Sequence, residues 1–390
     1  MAAIFIAASF AAAPASDNDP AAGRGLGAEG TGIPDTGWYD DEAVSFILAD
    51  ADELAGLAQI VNGKAAGIEK DGFLGKTITL SDDIDLSMYG SSFNDGKGWI
   101  HIGDQYADSF KGTFDGSGKM ITGLFIDAAD GADSFYVGLF GVVTDGMIKN
   151  VNVADADITG GDYVGGIAGY ISNGAEIINC RSAGIIAGEK YVGGITGGNG
   201  IGSTVANCYS GCDVSGNKFI GGITGMDSDT GMTANCYSTG SVSGSNSVGG
   251  IAGIVNGGEV VNCAALNPKV TGTENVGRVA GLVNTNGVCT DNVAFRGMTK
   301  IPRSGGNNGI LINTASISGD GTLGGRFTET NGWTTEDGEL PGLFGTTEEM
   351  PEHILSGGSG GIDPFIVVFL GIAALAAVIC IVTVLVIKKK

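Results

Sequence analysis

The phrase Val164-Gly165-Gly166-Ile167-Ala168-Gly169 decides the architecture, because the chain writes it repeatedly. It returns as Val192-Gly193-Gly194-Ile195-Thr196-Gly197, Ile220-Gly221-Gly222-Ile223-Thr224-Gly225, Val248-Gly249-Gly250-Ile251-Ala252-Gly253 and Val276-Gly277-Arg278-Val279-Ala280-Gly281. A first copy reads Val137-Gly138-Leu139-Phe140-Gly141. From Gly165 through Gly193, Gly221, Gly249 and Gly277 the step is 28 residues each time. Two more landmarks keep nearly that step: Asn150, Asn179, Asn207, Asn235, Asn262 and Asn292, and Gly160, Gly188, Gly216, Gly244 and Gly272. A constant period of this size marks an array whose units bury their faces only against neighbours. Within one unit, short β-branched runs such as 163–170, 176–182 and 185–187 are cut by Gly, Asn, Ser and Asp. Such runs are too short for helix pairs, and the Leu periodicity of leucine-rich repeats is missing. Strands stacked at ~4.8 Å per coil predict an all-β, parallel β-helix, in which every internal edge is paired. The repeated glycine pairs fit tight bends where backbone approaches backbone. One point stays open at this level: Val164 and Ile167 cannot both face inward along one regular strand.

Composition bounds the rest. The chain has 390 residues, 71 of them Gly, with 43% apolar residues. That apolar share argues against disorder, and the absence of a strict three-residue glycine period argues against collagen. A formal charge of −23 with 20 Lys plus Arg repels phosphate and argues against a nucleic-acid partner.

Both ends carry membrane signals. Residues 2–13 form an apolar run before Ala13-Pro14-Ala15, a small-x-small cleavage pattern, so 1–15 reads as a signal peptide lacking its usual basic start. Residues 365–387 hold no charged side chain, long enough at 1.5 Å per residue to cross a roughly 30 Å hydrocarbon core. The expected transmembrane helix is 364–387, and Lys388-Lys389-Lys390 behind it places the C-terminus in the cytoplasm by the positive-inside rule. The expectation is a single-pass cell-membrane protein with an extracellular N-terminal ectodomain, on an archaeal or Gram-positive surface. Leu340-Pro341-Gly342-Leu343-Phe344 is not a Leu-Pro-x-Thr-Gly sorting signal.

Between these ends, 16–37 is expected to be a flexible lead-in, and 38–126 an N-terminal cap with the first coils. Asp52 can cap a helix over about 53–62, where Leu54, Leu57, Ala58 and Val61 make one apolar stripe. Such a helix would cover the open end of the first coil. The repeats occupy 127–299, closing strands 300–346 with one over 333–344, a flexible linker 347–363, and the basic tail 388–390.

The residues also resemble a family. Gly138-Leu139-Phe140-Gly141 spells the Gly-Leu-x-Gly signature of GLUG-motif repeat proteins, and the Tyr-Val-Gly-Gly-Ile-x-Gly, Asn-Cys-Tyr-Ser and Val-Ser-Gly phrases are similar to theirs. So are Ala51-Asp52-Glu53-Leu54, Gly75-Lys76-Thr77-Ile78-Thr79-Leu80, Asp83-Ile84-Asp85-Leu86 and Gly112-Thr113-Phe114-Asp115-Gly116. The resemblance covers about 44–345 and implies a right-handed parallel β-helix on prokaryotic surface or secreted proteins. Some relatives join such repeats to an immunoglobulin-A-cleaving zinc peptidase, in which the repeat is not the catalyst.

Several residues invite chemistry. His101 and His353 are the only histidines, and no H-E-x-x-H is present, so a zinc peptidase lacks its ligand pair. Cys180, Cys208, Cys236 and Cys263 share one repeat position, with Val151 and Val293 as counterparts at the two ends. Replacement by Val predicts a buried thiol ladder, because disulfides between stacked rungs suit the required dihedral poorly. Cys212 and Cys289 lie off the ladder and Cys380 in the expected span. The Asn row predicts an amide ladder or turn contacts. Asp82-Asp83-Ile84-Asp85 and Asp155-Ala156-Asp157 could hold calcium, but no EF-hand or β-roll pattern is present and solvated turn acids serve equally. For polysaccharide chemistry, Asp162, Glu189 and Asp213 are turn candidates, and Arg278 breaks the pattern of its copy. An active site normally breaks a repeat, whereas these copies are nearly uniform, and Arg278 reads as a capping residue. The expectation is therefore non-enzymatic, with no catalytic, cofactor-binding or metal residues: an adhesive or structural rod meeting extracellular glycans or surface proteins. The alternative is a polysaccharide lyase or hydrolase.

Overall fold

The computed structural model describes residues 28–129, 131, 134–299 and 306–357. It is a parallel β-solenoid. One sheet has nine strands in register from Ser45–Leu48 to Val288–Thr290, hence about nine turns. A 14-stranded sheet and two six-stranded sheets complete the walls, and all the strand pairs among the described residues are parallel. The two six-stranded sheets carry the repeated phrase. Asp162–Gly165 pairs with Lys190–Gly193, and Ala168–Ser172 with Thr196–Asn199.

That division answers the question of Val164 and Ile167. They lie on either side of a bend between two sheets, so both are fully buried. The bend needs its glycines. A Cβ on Gly165 would stand 2.4 Å from the Ala168 carbonyl oxygen, and one on Gly166 would stand 2.7 Å from that of Gly194. Contacts that close do not occur between real Cβ atoms and backbone, so the alternation of Val, Gly and Ile is a packing requirement.

The Asn row works through backbone conformation. Asn150, Asn179, Asn207, Asn235 and Asn262 all take left-handed backbone, with φ between 53° and 55°, a state Asn tolerates better than most residues. Amide-to-amide bonds join Asn179 to Asn150 (3.4 Å) and Asn262 to Asn235 (2.7 Å), while Asn150 donates to Asp115 (2.9 Å). In the last rung the expected register is corrected by one residue. Thr290 pairs with Val261, which puts Asp291 (φ 55°) at the Asn position and Asn292 opposite Cys263. Val293 pairs with Ala264 and is not the counterpart of the cysteines. Asn292 instead ends the thiol ladder as a cap, accepting from the Cys263 N–H at 2.8 Å and donating to the Val260 carbonyl at 2.8 Å.

Cys180, Cys208, Cys236 and Cys263 are fully buried and carry no disulfide. The Cys180 N–H donates to the Cys208 sulfur at 3.3 Å, and the Cys236 N–H to that of Cys263 at 3.4 Å. Burial pushes the thiols of Cys208, Cys236 and Cys263 well up, so almost no thiolate is present to react. Native protein should therefore leave these four unalkylated by iodoacetamide over a period that labels all of them once urea has unfolded the chain. Their absence as thiols in unfolded, unreduced protein would show a disulfide instead.

The N-terminal helix, α1 (Ala51–Val61), begins two residues earlier than expected. Asp50, not Asp52, is its cap, accepting from the Glu53 N–H at 3.0 Å. Leu54, Leu57, Ala58 and Val61 are buried and join the same core as the coil interiors. Asp52 does other work. Its carboxylate accepts from the Thr31 N–H and hydroxyl, both at 2.7 Å, from the Gly32 N–H at 3.1 Å and from the Tyr89 hydroxyl at 2.6 Å. The described part of the lead-in is thereby tied to the cap, and Ala28–Glu29 pairs with Ile84–Asp85.

The C-terminal region departs from expectation. After Ile310–Ile312, which forms the last strand, the chain does not close the coil with a strand over 333–344. It folds back as a strap over the outer face of the large sheet. Phe327, Trp333, Leu340, Leu343 and Ile354 bury there against Tyr209, Tyr237, Ala264 and Phe295, making a second core separate from the solenoid interior. The reason lies in the sheet's outward side chains: Tyr209 and Tyr237 stack at 4.9 Å, an apolar surface that water leaves uncovered at a cost. The Tyr237 hydroxyl donates to the Pro341 carbonyl at 2.6 Å, Glu348 meets Arg181 at 3.4 Å and also takes the Tyr209 hydroxyl, and the His353 ring meets the Leu266 carbonyl at 2.7 Å. The start of the expected flexible linker, up to residue 357, is thus packed. The signal peptide over 1–15 and the transmembrane segment over 364–387 lie outside the described residues. Among the described residues no helix is long and apolar enough to cross a membrane.

Candidate functional sites

The exposed corner of the repeats is the first candidate. In register along one row stand Phe135, Asp162, Lys190, Lys218, Asn246 and Glu274. The next residue in each copy is Tyr136, Tyr163, Tyr191 and Phe219, then Ser247 and Asn275, every one with φ between 51° and 62°. Bulky residues rarely accept left-handed backbone; here the rings stack along the rod with centroids 5.3, 4.6 and 5.0 Å apart. Lys190 lies 4.3 Å from the Tyr191 ring centre and Lys218 4.7 Å from that of Phe219, a cation–π arrangement. The ring faces are occupied by one another, so this ridge offers aromatic edges and side chains of both charges to a partner. The aromatic spacing was visible in the sequence beside each Val-Gly-Gly phrase, but its stacking depends on the left-handed backbone.

The acids proposed for catalysis do not converge. Asn217 donates to Glu189 at 2.6 Å and Asn246 to Glu274 at 2.5 Å, while the Ser241 N–H donates to Asp213 at 2.7 Å. In each pair the partners are 28 residues apart, so these bonds tie one rung to the next. Asp162 neighbours Lys190 and Glu189; burial raises its carboxyl, Lys190 lowers it and Glu189 raises it again. Arg278 sits where the array meets its closing loop, its backbone N–H donating to the Asn308 side chain at 3.1 Å. The calcium candidates bond locally: Asp83 accepts from the Met120 N–H at 2.8 Å and Asp85 from the Ser87 N–H at 2.9 Å. Among the described residues no three His, Cys, Asp or Glu side chains gather as a metal set.

Sequence reasoning missed a buried carboxyl. Asp227 is fully buried inside the solenoid, accepting from Thr224 and Thr233 hydroxyls at 2.6 Å each and from the Asn199 amide at 2.8 Å. Burial pushes it up to about 6, against three hydrogen bonds that pull it down. No pattern marks it, because Asp-Ser-Asp reads as a turn. In the unfolded chain its pKa is that of an ordinary aspartate, 3.8, so between that value and about 6 the folded state holds a proton the unfolded state releases. Its contribution to stability therefore falls as pH rises from about 4 to 6, by about 3 kcal/mol in all. In urea melts at pH 4 and pH 7, Asp227→Asn should lose about that much of the wild-type difference. Equal differences in the two proteins would show that Asp227 does not titrate on folding.

The second candidate is a cleft of about 370 Å³ beside the N-terminal cap. The end of α1 and the residues just after it supply Gln59, Asn62 and Lys64, and the irregular stretch before the Thr113–Asp115 strand supplies Lys97, Trp99 and His101. Asn62 builds the loop: its amide donates to the His101 carbonyl at 3.0 Å, and its oxygen accepts from the Gly103 and Asp104 N–H groups at 2.8 and 3.1 Å. The Trp99 indole N–H donates to the Leu139 carbonyl at 3.1 Å, fixing the ring. His101 is buried here and His353 is on the strap near the far end, so the two histidines share no site.

Comparison with known proteins gives a fold. A solved chain from Bacteroides ovatus, a "putative immunoglobulin A1 protease", superposes with a TM-score of 0.58 over 77% of this chain and 92% of its own, at 21% identity. The shared property is the β-solenoid. No family model matches the chain. In sequence it is 40% identical over 129 residues to "Halomucin" of Haloquadratum walsbyi, covering 32% of this chain and 1% of that protein. It is 41% identical over 86 residues to a "Putative Gly-rich membrane protein" of Evansella cellulosilytica, covering 22% of this chain and 9% of the other. The chain thus spans a small fraction of the length of the curated relatives it matches.

Proposed function

We propose that this chain is a non-enzymatic surface rod that binds extracellular glycans through its exposed repeat face, with envelope proteins as further partners. The carrying observation is the corner row: the same position recurs rung after rung with acids, two amines and an amide, and side-chain bonds between rungs hold Asn246 to Glu274 in the row and Asn217 to Glu189 beside it. A repeated face suits a repeated polymer, since each added rung adds a contact and raises avidity without any single tight site. The names of the two sequence relatives, a halomucin and a membrane protein, agree with a surface setting. GLUG-type kinship, right-handed winding and single-pass anchoring through 364–387 belong to this reading. The strap brings Ile354 back beside Thr314, next to the last strand, at 2.7 Å. A following membrane span would leave from that end and let the rod stand away from the surface. A charge of −23 keeps nucleic acid out of the proposal. A polysaccharide-processing role has no specific observation in its favour, since of its candidate acids Glu189 and Asp213 are bonded to the next rung and Asp162 faces Lys190.

The test is a glycan array probed with the full chain in detergent. Retention of at least one polymer class is expected, weaker for a variant with Lys190→Ala and Lys218→Ala. No retention of any glycan would remove the glycan reading and leave a spacer or protein-binding role.

A further inference from the structure

Three inward rows of the solenoid change character in two neighbouring rungs. One row runs Val143, Ile171, Asn199, Asp227, Val255 and Val283 through its strand pairs. The row beside it runs Phe140, Ala168, Thr196, Thr224, Ala252 and Ala280. A third runs Ile148, Ile177, Val205, Thr233 and Val260. Thr196, Asn199, Thr224, Asp227 and Thr233 are fully buried, so these polar letters stand in the core, where no partner can touch them. Stability does not account for them. Asp227 accepts three hydrogen bonds but has no cationic partner among the described residues, and the Asn199 side-chain oxygen has no hydrogen-bond partner there. Well-packed apolar residues in place of buried charged groups are often neutral or stabilising, and the neighbouring rungs show that Ile, Ala and Val fit these positions.

The polar letters give the rungs an order that the walls do not. Val164, Val192, Ile220, Val248 and the glycines beside them recur every 28 residues, so a coil that skips its neighbour and pairs with the next one meets nearly the same side chains. Glycine-rich, near-identical strands specify their pairing weakly. Asp227 discriminates. Thr224 and Thr233 reach it from its own coil at 2.6 Å each, and the Asn199 amide reaches it from the coil before at 2.8 Å. With the Asn199 coil looped out, Asp227 would stand against Ile171; with its own coil looped out, Asn199 would stand against Val255. Either slip leaves a buried polar group without its partner, which is strongly unfavourable. We propose that the Asn199–Asp227 pair is a register lock: it admits one order of the coils and excludes pairings, within the chain or with a second copy, that skip a coil. A single buried polar residue fixes the register of coiled coils by the same physics, at a cost in stability.

The test removes the lock without removing the packing. Asn199→Ile, Thr224→Ala, Asp227→Val and Thr233→Val together install letters that neighbouring rungs carry in the same rows. At pH 7 this fourfold variant of the full chain should resist urea at least as well as wild type. After dilution from urea, however, the share recovered as monomer with every repeat strand protected from hydrogen exchange should fall at least about threefold. The lost share should show one 28-residue coil without protection, or chains joined to a second copy. Asp227→Asn is the control, because its side-chain oxygen still accepts from the Asn199 amide; it should refold with wild-type recovery. Three results would each overturn the proposal. Wild-type recovery in the fourfold variant would mean that the walls set the register unaided. A fourfold variant that is less stable than wild type, or does not fold, would mean that the polar cluster serves stability. Recovery as poor in Asp227→Asn as in the fourfold variant would mean that the charge, not the pairing between coils, is what matters.

Discussion

Gly197→Ala should cost about 3 kcal/mol or more, although it adds a single methyl group. Its Cβ would stand 2.4 Å from the carbonyl carbon of Tyr163, 2.4 Å from the Val164 nitrogen and 2.6 Å from the Tyr163 Cα, all backbone of the preceding rung. Those atoms cannot retreat, because hydrogen bonds hold the rungs at ~4.8 Å. The last glycine of every phrase meets the same obstacle: Gly169 at 2.3 Å, Gly225 at 2.4 Å and Gly253 at 2.3 Å from the rung before. Gly211→Ala is the matched control. Its Cβ would meet nothing nearer than the Ala183 Cβ at 3.7 Å, so a change within ~0.5 kcal/mol is expected there. Urea unfolding of both variants checks the pair. A similar cost at the two positions would show that general loss of glycine entropy, not the clash, governs the array.

Trp333→Ala should release the strap and leave the solenoid folded. Trp333 is almost fully buried, with Phe327, Tyr237 and Tyr209 ring centres at 4.9, 5.6 and 6.1 Å. Truncating a buried aromatic costs ~3–5 kcal/mol, and here the loss falls on a core distinct from the solenoid interior. Hydrogen exchange should therefore speed up across 313–357 while the repeat strands keep their protection. Trp333→Phe should be tolerated, since the indole N–H has no hydrogen-bond partner among the described residues and only packing is at stake. Loss of protection throughout the chain in Trp333→Ala would mean that strap and solenoid fold as one unit.

The sequence carried the solenoid because its physical causes are local and repeated. A glycine forced by backbone contact and an Asn held in left-handed backbone leave the same letter every 28 residues. The thiol ladder was legible for the same reason, since Cys180, Cys208, Cys236 and Cys263 recur at one position. What could not be read depends on contacts between distant parts of the chain. Nothing near Trp333 announces that Tyr209 and Tyr237, about a hundred residues away, await a cover. Asp52 looked like a cap because it precedes an apolar stripe, but Asp50 is equally placed and Asp52 answers to Thr31, Gly32 and Tyr89. At Asn292 the recurring letter and the strand register part by one residue. Asp291 takes the left-handed position as readily, which frees Asn292 to close the ladder. The cap cleft belongs to the same class, assembled from a helix end and a loop that share no motif.

On the proposed function the rod holds surface polymers without altering them. The most direct measurement is the mass of each retained polymer before and after prolonged incubation with the full chain. Unchanged masses are the predicted result. Shortened chains, or products lighter by the elements of water at a new double bond, would contradict the claim and make Asp162, Glu189, Asp213 and Arg278 the residues to replace next.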